Sequence, residues 1–106
     1  MEGDKLAIKN FTHKGLKNFF NKGDSSGLNP NHVEAINYML DAIDASHHPA
    51  DLKAIYHHKF AEKTGSGKGV YSIKVNGNWR ITFQIDSDGA ILLDYLDYHG
   101  KTIKAK

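Results

Sequence analysis

Hydrophobic positions divide this chain into two halves with different periods. The first half reads as helices. Leu16, Phe19 and Phe20 share one face of a short helix predicted over residues 13–22, with Thr12 as its N-cap and Lys22-Gly23 as its end. Asn29-Pro30 then combines a capping side chain with proline at the first helical position. Val33, Ile36, Leu40 and Ile43 follow at spacings of 3, 4 and 3, which makes one apolar stripe of a second helix. His47-His48-Pro49 ends it, and the histidines read as a charge-favoured C-terminus. Residues 50–55 fit one extra turn. Ahead of both helices, residues 6–11 alternate as a first strand.

The second half alternates by two. Tyr71, Ile73 and Val75 are apolar against Ser72 and Lys74, and Trp79, Ile81, Phe83 and Ile85 against Asn78, Arg80, Thr82 and Gln84. Asn76-Gly77 between these runs is a strong hairpin signal, and Asp88-Gly89 is a second turn. A last strand covers residues 90–98. A further strand over 55–60 precedes the Gly-rich "EKTGSGKG" loop. Helices segregated from strands predict an α+β fold, with the N-terminal strand and two helices packed on one face of a curved antiparallel sheet. The other face is expected to stay open to solvent. Parity then assigns Trp79 to the core and Arg80 to the open face.

Composition adds limits. The 106 residues predict a single domain over 1–106, with 40% hydrophobic and 25% charged positions. No apolar run approaches a membrane span and no leader sequence is visible. The absence of cysteine removes disulfides and thiolate metal sites, and fits a cytoplasmic setting. A net charge of +2 permits a polyanionic partner without arguing for one. Arg80 is the single arginine among fourteen lysine and arginine residues. Its planar fork of donors suits phosphate, although a solvated strand position explains it equally well.

Seven histidines are the larger hint, because imidazole ordinarily titrates near neutral pH. His57-His58 stands before the Gly-rich loop, and "DYH" (Asp97, Tyr98, His99) closes the last strand. Carboxylate, phenol and imidazole form an acid–base kit, but alone such a triplet has little specificity. A zinc set of His58, Asp97 and His99 matches no metal-ligand spacing, so no metal or other cofactor is expected. "EKTGSGKG" fails the phosphate-loop pattern, because Gly67-Lys68 is followed by glycine and then a strand.

Together, "FTHKGLKNFF", "LDAIDAS", "YSIKVNGNWRITF" and "DYLDYH" resemble the HigB toxins of bacterial toxin–antitoxin systems, within the RelE-like superfamily. The matching segments span nearly the whole chain in order. The resemblance implies the RelE-like ribonuclease toxin fold and an mRNA endoribonuclease acting in the ribosomal A site by metal-independent attack of the 2′-OH. It also implies neutralisation by a HigA-type helix-turn-helix antitoxin, with operator DNA contacted only through that antitoxin. Carried over by position, the catalytic set is His58 (His57 as second choice), Arg80, Asp97, Tyr98 and His99. Lys59, Lys63, Lys68 and Lys74 are the candidate RNA contacts. One departure is the stretch "HKFAEKTGSGKG", where the family usually has a shorter "H-P-L-K-G-D" turn, so the corresponding lysine stays open among Lys59, Lys63 and Lys68. The rival class is a non-catalytic RNA- or protein-binding α+β module, which would not arrest growth when expressed.

Overall fold

The computed structural model describes residues 5–63 and 69–97. Helices α1 (Lys14–Lys22), α2 (Val33–Ala45) and α3 (Pro49–Tyr56) precede the strands β1 (Phe60–Glu62), β2 (Tyr71–Asn76), β3 (Trp79–Asp86) and β4 (Gly89–Asp97). The four strands form one antiparallel sheet in sequential order. Its helix-facing side carries Ile73, Ile81, Phe83 and Leu93, each at most 1% exposed. Leu16, Ile36, Leu40, Ile43 and Leu52 from the three helices complete the core. Burying each such side chain contributes about 1.5–3 kcal/mol, so this face supplies most of the folding drive.

Local signals set the ends. His13 Nδ1 accepts from the Leu16 amide at 3.1 Å, so the cap of α1 is His13 rather than Thr12. Gly23 closes α1 at φ 75, a left-handed position open to glycine at little cost. Asn29 caps a 3-10 turn, Pro30–His32, that leads into α2.

Three expectations change. His47-His48 does not sit at a helix C-terminus, since α2 stops at Ala45. His48 instead forms a capping box with Asp51 and begins α3, two turns long where one was expected. Residues 55–60 are not a strand: α3 runs to Tyr56, a 3-10 turn covers His57–Lys59, and β1 begins only at Phe60. His57 makes that corner at φ 54. Finally, residues 6–11 do not form a regular strand. They run parallel to the edge of β4 and make two isolated bridges, Ile8 to Ala90 and Phe11 to Leu93.

The physical reason for that interruption lies in the backbone. Ala7 is at φ 47, and the Ile8 amide donates to Asp44 Oδ1 at 2.9 Å instead of to a strand. The Leu6 amide donates to the Ser46 carbonyl, which ties the segment to the end of α2. Gly89, at φ 140, lets the Leu6 and Ala7 carbonyls approach so closely that any Cβ there would collide with both.

Two bulges adjust the sheet. Between Lys74 and Asn76 the β2–β3 register shifts by one, and the turn itself is Gly77-Asn78 rather than Asn76-Gly77. A second shift lies between Thr82 and Gln84 on the β3–β4 pair. There Leu92 takes φ 58, and its amide donates to the Asn10 side chain at 2.7 Å.

Candidate functional site

The hairpin end of the sheet gathers the described candidates other than Lys63. Ile73, Ile81 and Tyr95 lie in one cross-strand row on the helix-facing side. One step towards the hairpin, Lys74, Arg80 and Leu96 form the next row on the opposite face. Arg80 is therefore on the outer face, as parity predicts. Its guanidinium reaches diagonally back and donates to Ser72 Oγ at 3.3 Å.

That face is less open than expected. Ser72 is 1% exposed and Thr82 6%, and they are direct cross-strand partners. Lys74 and Arg80 are half-buried. The polar residues of the alternation thus line a partly covered floor. Two cations directly opposed across antiparallel strands, about 5 Å apart at the backbone, repel one another. An anion seated between them turns that repulsion into attraction.

Asp97 sits opposite Trp79, in the helix-facing register at the end of β4. One of its carboxylate oxygens is buried. His58 and Lys59 are exposed on the 3-10 turn that leads into β1 and packs against β2. The order across this end is then His58 and Lys59, Lys74, Arg80 and Asp97, spread over four strands. Three strand spacings amount to about 14 Å from edge to edge.

Lys63 is not part of this gathering. Its amide donates to the Val70 carbonyl at the far end of β1, about 13 Å along the strand from Lys59. Lys68, Tyr98 and His99 lie outside the described residues. Among the described residues no three histidine or acidic side chains cluster at metal-binding range.

A second group, with no signal in the sequence, braces the end of β4 from beneath. His32 is 4% exposed, and its Nδ1 lies 2.7 Å from the Tyr95 hydroxyl. The Asn29 amide donates to the same hydroxyl at 3.4 Å. Trp79 stacks obliquely on Tyr95 with ring centres 4.6 Å apart, while His32 meets Trp79 edge-on at 5.8 Å. His13 closes the group 5.4 Å from Tyr95. Burial raises the Tyr95 phenol above its ordinary range, and the Asn29 hydrogen bond offsets part of that rise. The pair that follows Tyr95, Leu96 and Asp97, is in this way mounted on a hydrogen-bonded aromatic base.

A cleft of about 840 Å³ lies elsewhere. His48, Lys53, Phe60, Glu62, Tyr71 and Ile85 line much of it, towards the opposite end of the sheet, and none of the candidates does. The hairpin end of the sheet remains the place where the outer-face cations Lys74 and Arg80 lie between His58 at one edge and Asp97 at the other.

Comparison with known proteins gives one family. The profile described as "RelE-like toxin of type II toxin-antitoxin system HigB" matches residues 9–99. The chain is 45% identical over 93 residues to a protein named Endoribonuclease HigB from Proteus vulgaris, covering 87% of this chain and 99% of the relative. It is 34% identical over 90 residues to Toxin HigB-1 from Vibrio cholerae serotype O1, covering 84% and 94%.

Proposed function

Because this chain belongs to the HigB-like family of RelE-like toxins from type II toxin–antitoxin systems, we propose that it is an endoribonuclease that stops translation by cutting mRNA in the ribosomal A site. The observation that carries the reading is the Lys74–Arg80 pair on the outer face of the sheet, flanked by His58 and Asp97. Opposed cations with imidazole and carboxylate on either side suit a phosphodiester. The 45% identity to a protein named an endoribonuclease supports the same chemistry.

The reaction is a transfer within RNA. The 2′-oxygen attacks the adjacent phosphorus and loses its proton to a base. A new P–O bond gives a 2′,3′-cyclic phosphate, the P–O5′ bond breaks, and an acid returns a proton to the 5′-oxygen. His58 and His99 are the residues we assign to proton transfer, with Asp97 supporting the imidazole on its side. Arg80 and Lys74 hold the phosphate and stabilise its added charge in the transition state. Lys59 is the backbone contact we assign from the loop region, in preference to Lys63. Tyr98 stacks on a base or orients the strand.

Family membership supports a cognate antitoxin, which we assign to the HigA-type helix-turn-helix class, and a cytoplasmic site of action. Among the described residues no helix is long and apolar enough to cross a membrane. The test uses programmed ribosomes: the parental chain should cut bound mRNA, while His58→Ala and Arg80→Ala should each lose about a hundredfold or more. Cleavage at the parental rate by both variants would sink the assignment. A parental chain that binds ribosomes, cuts nothing and leaves growth unaffected would instead be a binding module.

A further inference from the structure

The cations of this chain are unevenly placed. Residues 5–22 contain five lysines and no acidic residue. Taking those five from the fourteen lysine and arginine residues leaves nine against twelve acids, a net charge of −3 for the rest. Lys5, Lys9, Lys14, Lys17 and Lys22 are all exposed. Lys5 and Lys9 lie on the segment beside β4, and the other three on α1.

Helical geometry puts the α1 lysines together. Positions 14, 17, 18, 21 and 22 share one side at spacings of i, i+3, i+4, i+7 and i+8. The opposite side carries Leu16, Phe19 and Phe20 into the core. Lys14, Lys17 and Lys22, with the amides of Asn18 and Asn21, line a shallow cleft of about 450 Å³ beside Phe11. Eight residues of helix set Lys14 and Lys22 about 12 Å apart along the axis. Two acids approach the surface. Asp24 accepts hydrogen bonds from Ser26, which hold its carboxyl below the usual range, with a smaller contribution from Lys22. Asp44 is engaged by the Ile8 amide.

This chemistry favours a polyphosphate over a protein. Lysine is depleted in protein–protein interfaces, whereas nucleic-acid interfaces are strongly cationic. Lysine carries a point charge without a planar fork, so a lysine-only surface grips phosphates without reading bases. Amides beside it suit sugar and phosphate oxygens. We propose that this face of α1, extended by Lys9 and Lys5, is a second RNA contact that holds the backbone of structured RNA independently of sequence. The proposal rests on the reading above that the chain works on a ribosome. Because α1 packs against β4 on the side away from Lys74 and Arg80, it would engage a different stretch of RNA from the one being cut.

The test is the full chain carrying Lys14→Gln, Lys17→Gln and Lys22→Gln together. Glutamine keeps helix propensity, and all three sites are exposed, so the fold should persist. Purified bacterial ribosomes programmed with mRNA are titrated between 50 and 200 mM salt, where neutralised phosphates set the slope of log affinity on log salt. Removing three contacts should lower that slope by about 2–3 and raise the half-saturating ribosome concentration at least tenfold. The cleavage rate at saturation should stay parental. Lys53→Gln, on exposed α3, should leave the slope at its parental value. An unchanged slope and half-saturation in the triple variant overturns the proposal. So does an equal loss per lysine in Lys53→Gln, because charge alone would then explain it. Loss of antitoxin affinity with ribosome binding intact also overturns it, by making the face a protein interface. If the parental chain binds ribosomes with the expected slope loss in the triple variant but cuts nothing, the RNA contact stands and the nuclease reading fails.

Discussion

Trp79 and Arg80 are neighbours in sequence, but they belong to surfaces with different tasks. The helix-facing side of the sheet is apolar and closed, with Ile73 and Ile81 at 0% exposure. The outer side is polar and half-closed, with a floor of Ser72 and Thr82 beneath Lys74 and Arg80. On the first side, favourable burial holds the strands together. On the second, like charges are tolerated at a cost, and that cost falls when an anion binds. A strand end carrying both functions needs a rigid register, since a slip of one residue would exchange the two faces.

The largest test of this division is Ile81→Ala. It should remove about 2–5 kcal/mol of stability, a large part of what a domain this size has, as read by urea unfolding. A loss under about 1 kcal/mol would mean that the apolar side is not what holds the sheet. Arg80→Ala should do the reverse. Cleavage on ribosomes should fall about 10²–10³-fold, while the unfolding free energy from urea titration falls by about 1–2 kcal/mol, the scale of surface hydrogen bonds such as the one to Ser72. Equal losses of stability and activity would merge the two faces into one structural unit.

Tyr95→Phe probes the base under the end of β4. It strips a partner from buried His32 and from the Asn29 amide, at a cost of about 1–3 kcal/mol. Its effect on catalysis should appear in the turnover rate rather than in ribosome affinity, because Tyr95 touches the mount and not the outer face. A parental turnover rate would separate the aromatic base from the site.

The smallest effect is alkaline. Burial raises the phenols of Tyr56, Tyr71 and Tyr95, with the charge of Glu62 adding to Tyr71. A raised folded pKa means that the folded state holds the proton more tightly than the unfolded chain does. The resulting stability is whole below the unfolded value of about 10 and is lost as pH climbs through the folded values. Phenolate absorbance should therefore show these three ionising at higher pH in the folded chain than in the chain unfolded by urea. If the folded and unfolded chains show the same phenolate titration, the surroundings of these three are more open than the packing indicates.

The patterns that were legible before folding are the local ones. Spacings of three and four marked α1 and α2, alternation marked the sheet, and both depend only on neighbours along the chain. Cap and turn were readable to within a residue: His13 replaced Thr12, and Gly77-Asn78 replaced Asn76-Gly77. Arg80 could be assigned to the outer face because period two needs no knowledge of the partner strand. His57-His58 was misread as part of a strand, because apolar residues on either side imitate one. The capping box of His48 and Asp51, which starts α3 and carries the chain into a 3-10 turn, was the missed signal.

What the amino-acid sequence determined by itself was therefore periodicity, and with it the elements and the two faces of each strand. Tertiary structure alone decided which distant residues meet. The opposition of Lys74 to Arg80, the pairing of Asp97 with Trp79 and the bond between His32 and Tyr95 all depend on register and on helix placement. The exclusion of Lys63 from the hairpin end has the same origin. So has the edge segment of residues 6–11, which alternates like a strand yet divides its amide hydrogen bonds, Lys9 donating to Ala90 of β4 while Leu6 and Ile8 donate to Ser46 and Asp44 of the α2 cap and α2. A side chain's direction is set by its own backbone, but its neighbours are set by packing that no short window of sequence contains.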